Sequence, residues 1–168
     1  MTRKPILAVA AMILSGCVSL ALAQHAADRV QVRYLHPEKF TDAGRYWAGA
    51  ASREDNLAQL ARHIERRATG LLPEGQRLLV SVTDVDLAGG YEPWRNLGAI
   101  RVVRDVHPPR IDLSFQLTGA DGRALREGKR SLRDLAFQVS GSGYRDDPLR
   151  YEKALINGWL ARELQPAH

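Results

Sequence analysis

Hydrophobic and polar residues alternate along several short stretches of the chain, a period of two that is typical of strands with one buried face. The stretches are residues 29–35, 78–87, 100–106, 110–118 and 123–137. Residues 78–87 are the most apolar of them and are predicted to form a central strand. Pro108 and Pro109 separate two of the strands, because proline has no N–H to donate to a neighbouring strand. Residues 119–122 predict a hairpin turn, and Gly128 suggests a bulge in the last strand.

Two longer segments carry apolar residues at helical spacing. The first begins at Ser52, which with Asp55 approximates a capping box, and Gly70 is expected to cap its C-terminal end. The second follows Asp147 and Pro148, an N-cap with proline at the first helical position. Its apolar face is wide enough to cover a sheet and consists of Leu149, Leu155, Ile156, Trp159, Leu160 and Leu164.

The order of these elements is strand, helix, a run of strands and a final helix. This order predicts an α+β fold, a two-layer sandwich in which a mainly antiparallel sheet carries two helices on one face. The chain has 168 residues and is 45% hydrophobic, which fits one globular domain over residues 24–168. In the loop after the first strand, Phe40, Tyr46 or Trp47 is expected to attach the chain to the core.

Residues 1–23 have the composition of an export signal. Arg3 and Lys4 precede an apolar segment, and small residues follow it. Residues 14–17, Leu-Ser-Gly-Cys, resemble the lipobox of bacterial lipoproteins. The pattern predicts a lipoprotein signal over residues 1–16 and lipidation of Cys17, the single cysteine of the chain.

A second processing site stays open. Residues 21–23, Ala-Leu-Ala before Gln24, fit the A-x-A pattern of ordinary secretion. The chain is therefore expected in the periplasm, either held at the outer membrane through a lipid on Cys17 or as a soluble protein. An uncleaved anchor is disfavoured, because residues 6–23 are near the lower limit of length for a membrane span.

The positive charge of the chain does not indicate a nucleic-acid partner. Lysine and arginine total 24 against 19 aspartate and glutamate residues, for a net charge of +5, and two of the basic residues belong to the leader. Acidic residues are interleaved with the remaining basic ones, and no basic patch contains aromatic residues that could stack on bases. We therefore expect no nucleic-acid binding.

Three carboxylates at the end of the central strand form the strongest candidate for a chemical site. An unbroken alternation places Asp84 and Asp86 on one face of that strand, and Glu92 follows in the next loop. Such a set could hold Mg²⁺ or Ca²⁺, or act as an acid/base pair. The competing interpretation is that these carboxylates bind loop amides and pair with Arg101 or Arg104. It carries more weight, because no third ligand stands at a fixed spacing.

Other catalytic and cofactor signatures are absent from the sequence. None of the five histidines stands four residues from another, so we expect no metal site, and no cofactor is predicted. His63 lies on the polar flank of the first helix and is expected to be solvated or locally hydrogen-bonded. Residues 141–143, Gly-Ser-Gly, do not form a nucleophile elbow, and Gly89-Gly90 is not a phosphate loop. No catalytic residue is assigned.

A loop rich in glycine and aromatic residues is the candidate for recognition. Tyr91, Trp94 and Arg95 are residue types that often supply binding energy at interfaces, and the flanking strands would hold the loop in place. The alternative, equally weighted, is that Trp94 folds back over an open edge of the core.

Several segments, read in order, resemble the proteobacterial family catalogued as Domain of Unknown Function 3016. They are residues 32–42, residues 82–89 with Glu92-Pro93, residues 109–117, Arg133-Asp134 with Phe137, and residues 144–159. The resemblance covers residues 30–162 and implies an exported envelope protein without an assigned activity. It supplies no catalytic residue.

Two hypotheses about function follow. The first is a non-catalytic accessory or binding protein of the cell envelope, whose partner is an envelope protein that the sequence does not identify. The alternative is a metal-dependent hydrolase that uses Asp84, Asp86 and Glu92. The first is favoured because the sequence offers no nucleophile with an adjacent base.

Overall fold

The computed structural model describes residues 29–44, 52–91, 101–140 and 146–164. Within these ranges the chain forms, in order, β1 (Val30–Tyr34), a 3-10 turn (Pro37–Lys39), α1 (Arg53–Leu71), β2 (Arg77–Asp86), β3 (Gly90–Tyr91), β4 (Arg101–Val102), β5 (Arg110–Thr118), β6 (Ala124–Arg133), α2 (Phe137–Ser140) and α3 (Arg150–Leu164). In the described part of the chain, no helix is both long and apolar enough to span a bilayer.

The main sheet has four strands in the order β1-β2-β5-β6, and β3 pairs with β4 in a small second sheet. The strand β1 runs parallel to β2, so that α1 is the crossover between them, whereas β2, β5 and β6 are antiparallel to their neighbours. The helices α1 and α3 share one hydrophobic core with one face of this sheet. The predicted α+β sandwich is confirmed.

The helix α1 begins where the capping box predicts. The Asp55 amide donates to Ser52 Oγ at 3.1 Å, and the Ser52 amide donates to Asp55 Oδ2 at 3.3 Å. The prediction that Gly70 caps the other end was wrong, because the helix continues to Leu71. The next residue, Leu72, leaves the helix in an extended conformation and buries its side chain in the core, so no left-handed glycine is needed.

A bulge interrupts the alternation of β2. Val82 pairs with Leu113, but Asp84 pairs with Asp112, so Thr83 is an extra residue without a partner of its own. As a result Val85 turns into the core, where it is 1% exposed. An unbroken alternation would put Asp84 and Asp86 on the same face as Leu78, Val80 and Val82, and this prediction was wrong. Both Asp84 and Asp86 lie on the face of the sheet opposite the helices, which we call the open face.

The strands after β2 differ from the prediction at their ends. Among the described residues 101–106 of the predicted strand 100–106, only Arg101 and Val102 form a strand, and they pair with β3. The predicted strand 123–137 stops at Arg133, since Phe137 opens α2 and is buried edge-on against Tyr151. No bulge occurs at Gly128. The register shift in that pair lies beside the hairpin turn, where β5 ends and β6 begins.

The helix α3 covers the sheet as predicted, and its six expected apolar residues are all buried. Asp147 Oδ1 accepts from the Leu149 amide at 2.8 Å, which caps the turn that leads into the helix. Trp159 is 1% exposed and meets the ring of Phe115 edge-on at 5.7 Å. In the loop after β1, Phe40 is the buried attachment to the core, and the alternatives Tyr46 and Trp47 lie outside the described residues.

Candidate functional site

Asp84 sits on the open face in a complete shell of donors. Thr41 donates to it twice, from its amide to Oδ1 and from its hydroxyl to Oδ2, both at 2.7 Å. The Arg110 guanidinium donates to Oδ2 at 2.7 Å, and the Val85 amide donates to Oδ1 at 2.9 Å. These bonds tie the loop after β1 to the strands β2 and β5. They also occupy the lone pairs that a metal ion would need.

Arg110 joins this carboxylate to a second one. Its Nη1 donates to Asp112 Oδ2 at 3.1 Å, while Ser131 Oγ donates to Asp112 Oδ1 at 2.6 Å. The bulge residue Thr83 donates to the Asp112 carbonyl at 3.1 Å. A shallow hollow of about 370 Å³ adjoins these groups on the open face. It is lined by Thr83, Asp112, Leu113, Ser114, Lys129, Arg130 and Ser131.

Asp86 differs from Asp84, although both lie on the open face. Burial raises the pKa of Asp86, the carboxylates of Asp42 and Asp84 raise it further, and Arg110 opposes them. Glu92, the third carboxylate of the predicted set, lies outside the described residues. The pairing partner of Asp84 is Arg110 rather than Arg101 or Arg104. Across the ranges the structure describes, no three His, Cys, Asp or Glu side chains are grouped so as to hold a metal ion.

Arg101 makes four side-chain hydrogen bonds next to the candidate recognition loop. Its Nη1 donates to the carbonyls of Leu87, Ala88 and Gly89 at 3.1–3.2 Å, and its Nη2 donates to Asp42 Oδ2 at 2.7 Å. The side chains of Arg101 and Asp42 are 18% and 22% exposed. We call this arrangement the Arg101 clamp. The sequence offered Arg101 as a neighbour of carboxylates but not as a residue that binds backbone.

The clamp holds together the two ends of the loop that contains the predicted recognition residues. Gly89 has a φ of +78°, and a Cβ there would lie 2.4 Å from the Val102 carbonyl oxygen, so only glycine allows the two segments to meet this closely. The backbone of Tyr91 pairs with Arg101 in the small sheet. Residues 92–100, with Trp94 and Arg95, lie outside the described residues.

Glu152, on α3, binds the backbone of the same segment at Ala88. It is 1% exposed, and its Oε1 accepts from the Ala88 amide at 2.7 Å. Its Oε2 is buried without a hydrogen-bond partner among the described residues. Burial raises the pKa of Glu152, and the amide bond and Arg101 only partly oppose this shift. No role was predicted for Glu152 from the sequence, because a glutamate in the first turn of a helix is common.

The raised pKa of Glu152 makes a pH-dependent contribution to stability. Because the folded state favours the protonated form, this contribution is complete below the unfolded pKa near 4.5 and is lost as the pH rises towards the folded pKa. We expect Glu152→Gln, which keeps the acceptor for Ala88, to remove this loss. This is measured by urea titrations between pH 4 and 7. The free energy of unfolding of the variant, relative to that of the wild type, should rise by about 1.4 kcal/mol for each pH unit between the two pKa values. Parallel profiles would contradict the assignment.

A second buried polar group connects the two main helices. His63 is 5% exposed, and its Nε2 lies 2.9 Å from Asn157 Oδ1, to which Arg67 also donates at 3.2 Å. Burial lowers the pKa of His63, and the nearby cations add to this effect. Lys153 forms an ion pair with Asp147 in the same region. His63 was expected to be solvated or locally hydrogen-bonded. It is instead covered by α3, and its hydrogen bond is made to a residue of that helix.

Comparisons with known proteins give one result. No curated protein and no solved structure matches the chain significantly. One family model does match, over residues 28–162, and this agrees with the resemblance identified in residues 30–162. Since the match covers more than half of the chain, the protein belongs to the family described as protein of unknown function, DUF3016.

Proposed function

We propose that the chain is an exported protein of the cell envelope that binds a partner protein through the segment around residues 89–100 and catalyses no reaction. The observation that carries the proposal is the Arg101 clamp. It uses one half-buried guanidinium to hold three successive carbonyls and Asp42 at the base of that segment. Rigid bases that present loops are typical of binding proteins, because a loop held at both ends loses less conformational entropy on association.

The state of the acidic residues supports binding over hydrolysis. A general base or metal ligand needs a free lone pair, but Asp84 accepts four hydrogen bonds, one of them from Arg110. Asp112 is also bound to Arg110 and to Ser131. These carboxylates therefore act as structural links between the loop after β1 and the strands of the sheet.

The location in the envelope rests on the leader and has its own test. We expect cells that produce the full chain to incorporate labelled palmitate into it, and Cys17→Ser to abolish the label and release the protein from the membrane fraction. The Arg66→Gln chain, changed on the exposed surface of α1, is the matched control and should keep the label. Recovery of a soluble periplasmic protein that begins at Gln24 would reject lipidation in favour of ordinary secretion.

Partner binding is tested by crosslinking in intact cells. A photoreactive p-benzoylphenylalanine at Tyr91 or at Trp94 should give one discrete higher-mass adduct, because these aromatic positions belong to the proposed contact surface. The same residue at Arg66, on the exposed face of α1, should give none. Adducts of equal yield at all three positions, or none at any, would contradict the proposed surface.

One observation supports the hydrolase alternative. It is the raised pKa of Asp86, which lies next to Asp42 and Asp84. Calorimetric titration of the full chain with Mg²⁺, Ca²⁺ and Mn²⁺ separates the two functions. We expect no saturable heat from the wild type. A saturable heat that disappears in Asp86→Asn while Lys129→Gln retains it would overturn the non-catalytic proposal, since Lys129 lines the neighbouring hollow but offers no metal ligand.

A further inference from the structure

A second hollow lies at the other end of the sheet from the Arg101 clamp, between the start of β2 and the hairpin that joins β5 to β6. Its volume is about 470 Å³. It is lined by two arginines, one threonine and four residues with little or no side chain. The residues are Arg29, Arg77, Thr118, Gly75, Gly119, Ala120 and Gly122. No carboxylate is among them. The lining therefore combines two cationic side chains with exposed backbone.

Arg29 is held in place by the end of α1. Its Nη2 donates to the Leu72 carbonyl at 2.8 Å and to the Pro73 carbonyl at 3.3 Å. Its Nε, however, is buried and has no acceptor among the described residues. Buried donors in folded proteins nearly always have an acceptor. The guanidinium of this lining residue is thus positioned, and its buried Nε has no acceptor among the described residues.

Arg77 supplies the second cation. It stands opposite Thr118 at the start of β2, is exposed, and forms no ion pair with any carboxylate in the described ranges. Neither Glu74 nor Asp121 lines the hollow, although Asp121 Oδ1 lies close to the lining residue Gly119. The Asp121 carboxylate also lies 3.7 Å from Arg123. Two guanidiniums that line one hollow without a lining carboxylate attract an anion.

Three glycines line the hollow and add no side chain to it. Gly75 has a φ of +77° and packs so closely on Ala120 that a Cβ there would lie 2.6 Å from the Cβ of Ala120. At Gly122, which has a φ of +79°, nothing lies within 4 Å of the position that a Cβ would take, so the space there is open. Planar guanidinium groups bind phosphate oxygens in pairs, and small residues let a tetrahedral group approach.

The position of the hollow indicates where the phosphate comes from. Arg29 directly precedes β1, and Cys17 stands twelve residues before it. Even a fully extended segment of that length spans only about 40 Å. A lipid on Cys17 would therefore keep the hollow close to the membrane surface, where phosphate groups are carried by lipids.

We propose that this hollow binds the phosphate group of an anionic membrane lipid, with Arg29 and Arg77 as its cationic ligands. The choice of a lipid over free phosphate rests on the proposed export and anchoring, whereas the phosphate site itself rests on the two arginines and the hollow. Binding here would orient the domain, with the Arg101 clamp directed away from the membrane surface.

The test is a titration of the full chain in dodecyl maltoside micelles, followed by the NMR signals of the arginine Nε–H groups. Dihexanoyl phosphatidylglycerol, which carries one net negative charge, should shift the signals of Arg29 and Arg77 saturably. Arg77→Gln should weaken binding about fivefold or more, because one of two cationic ligands is lost. Arg66→Gln, a matched change on the outer surface of α1, should leave the affinity unchanged.

Three results would overturn the proposal. Equal binding of zwitterionic dihexanoyl phosphatidylcholine would show that the anionic charge is not recognised. Equal shifts with inorganic phosphate at the same concentration would identify a site for the free anion and reject the lipid. The absence of any saturable shift would reject the site. Arg29→Gln removes the bonds to the end of α1 and can unfold the chain, so Arg77→Gln carries the test. The purified chain is used, so failure here leaves the crosslinking result on partner binding intact.

Discussion

Replacing Trp159 by alanine is expected to lower the free energy of unfolding by about 3–5 kcal/mol. Trp159 is the largest of the fully buried side chains in the described ranges, at 1% exposure. Its ring packs edge-on against Phe115, with an interplanar angle of 72°, and thereby joins α3 to the strand β5. The substitution removes both the buried area and the ring contact, and the cavity lies between two layers that cannot easily close it.

Urea unfolding followed by circular dichroism measures this loss. Leu125→Ala provides the control, because Leu125 is 54% exposed and its removal should change the free energy of unfolding by less than about 0.5 kcal/mol. A change below about 1 kcal/mol for Trp159→Ala would mean that α3 does not pack on the sheet through this residue.

Arg101→Lys is expected to lower the free energy of unfolding by about 2–4 kcal/mol, although the charge is kept. Lysine is a compact point charge and cannot reach three carbonyls and a carboxylate with a planar fork. The carbonyls of residues 87–89 and the Asp42 carboxylate would lose a largely buried donor. The two ends of the segment around residues 89–100 would then separate more easily.

Hydrogen exchange resolves where this effect occurs. The amide of Gly89, which donates to the His107 carbonyl at 2.9 Å, should exchange faster in Arg101→Lys, whereas amides in β5 should change only through the global loss. Arg133→Lys, an equivalent change at an exposed position of β6, should leave both the stability and this amide unchanged. Equal effects of the two variants would contradict the clamp.

Local signals in the sequence predicted much of the fold. The capping box at Ser52 and the Asp147-Pro148 start of α3 depend on residues within three or four positions of each other, so one sequence contains all the information. The alternation of apolar and polar residues predicted β5 equally well, because one face of that strand is buried throughout. Phe40 was one of three aromatic residues that the sequence offered as the attachment of its loop to the core, and it is buried there.

The site was less predictable, because its contacts join residues distant in sequence. The bulge at Thr83 depends on how β2 meets β5, and the residue carries no turn or glycine signal of its own. Arg101 binds backbone carbonyls, which every residue possesses, so its side chain gives no hint of its target. Glu152 was overlooked for a similar reason, since its burial depends on the packing of Ala88 and not on its neighbours in α3.

The parallel pairing of β1 with β2 has a consequence for how the chain folds. The strands β5 and β6 follow each other in sequence, so their hairpin can close locally. Val30 pairs with Leu78 only across the long segment that contains α1. Closing the longer loop has the larger entropic cost, so we expect β1 to be the last strand of the sheet to gain its hydrogen bonds. Until then the edge of β2 that pairs with β1 would be open to pairing with other chains.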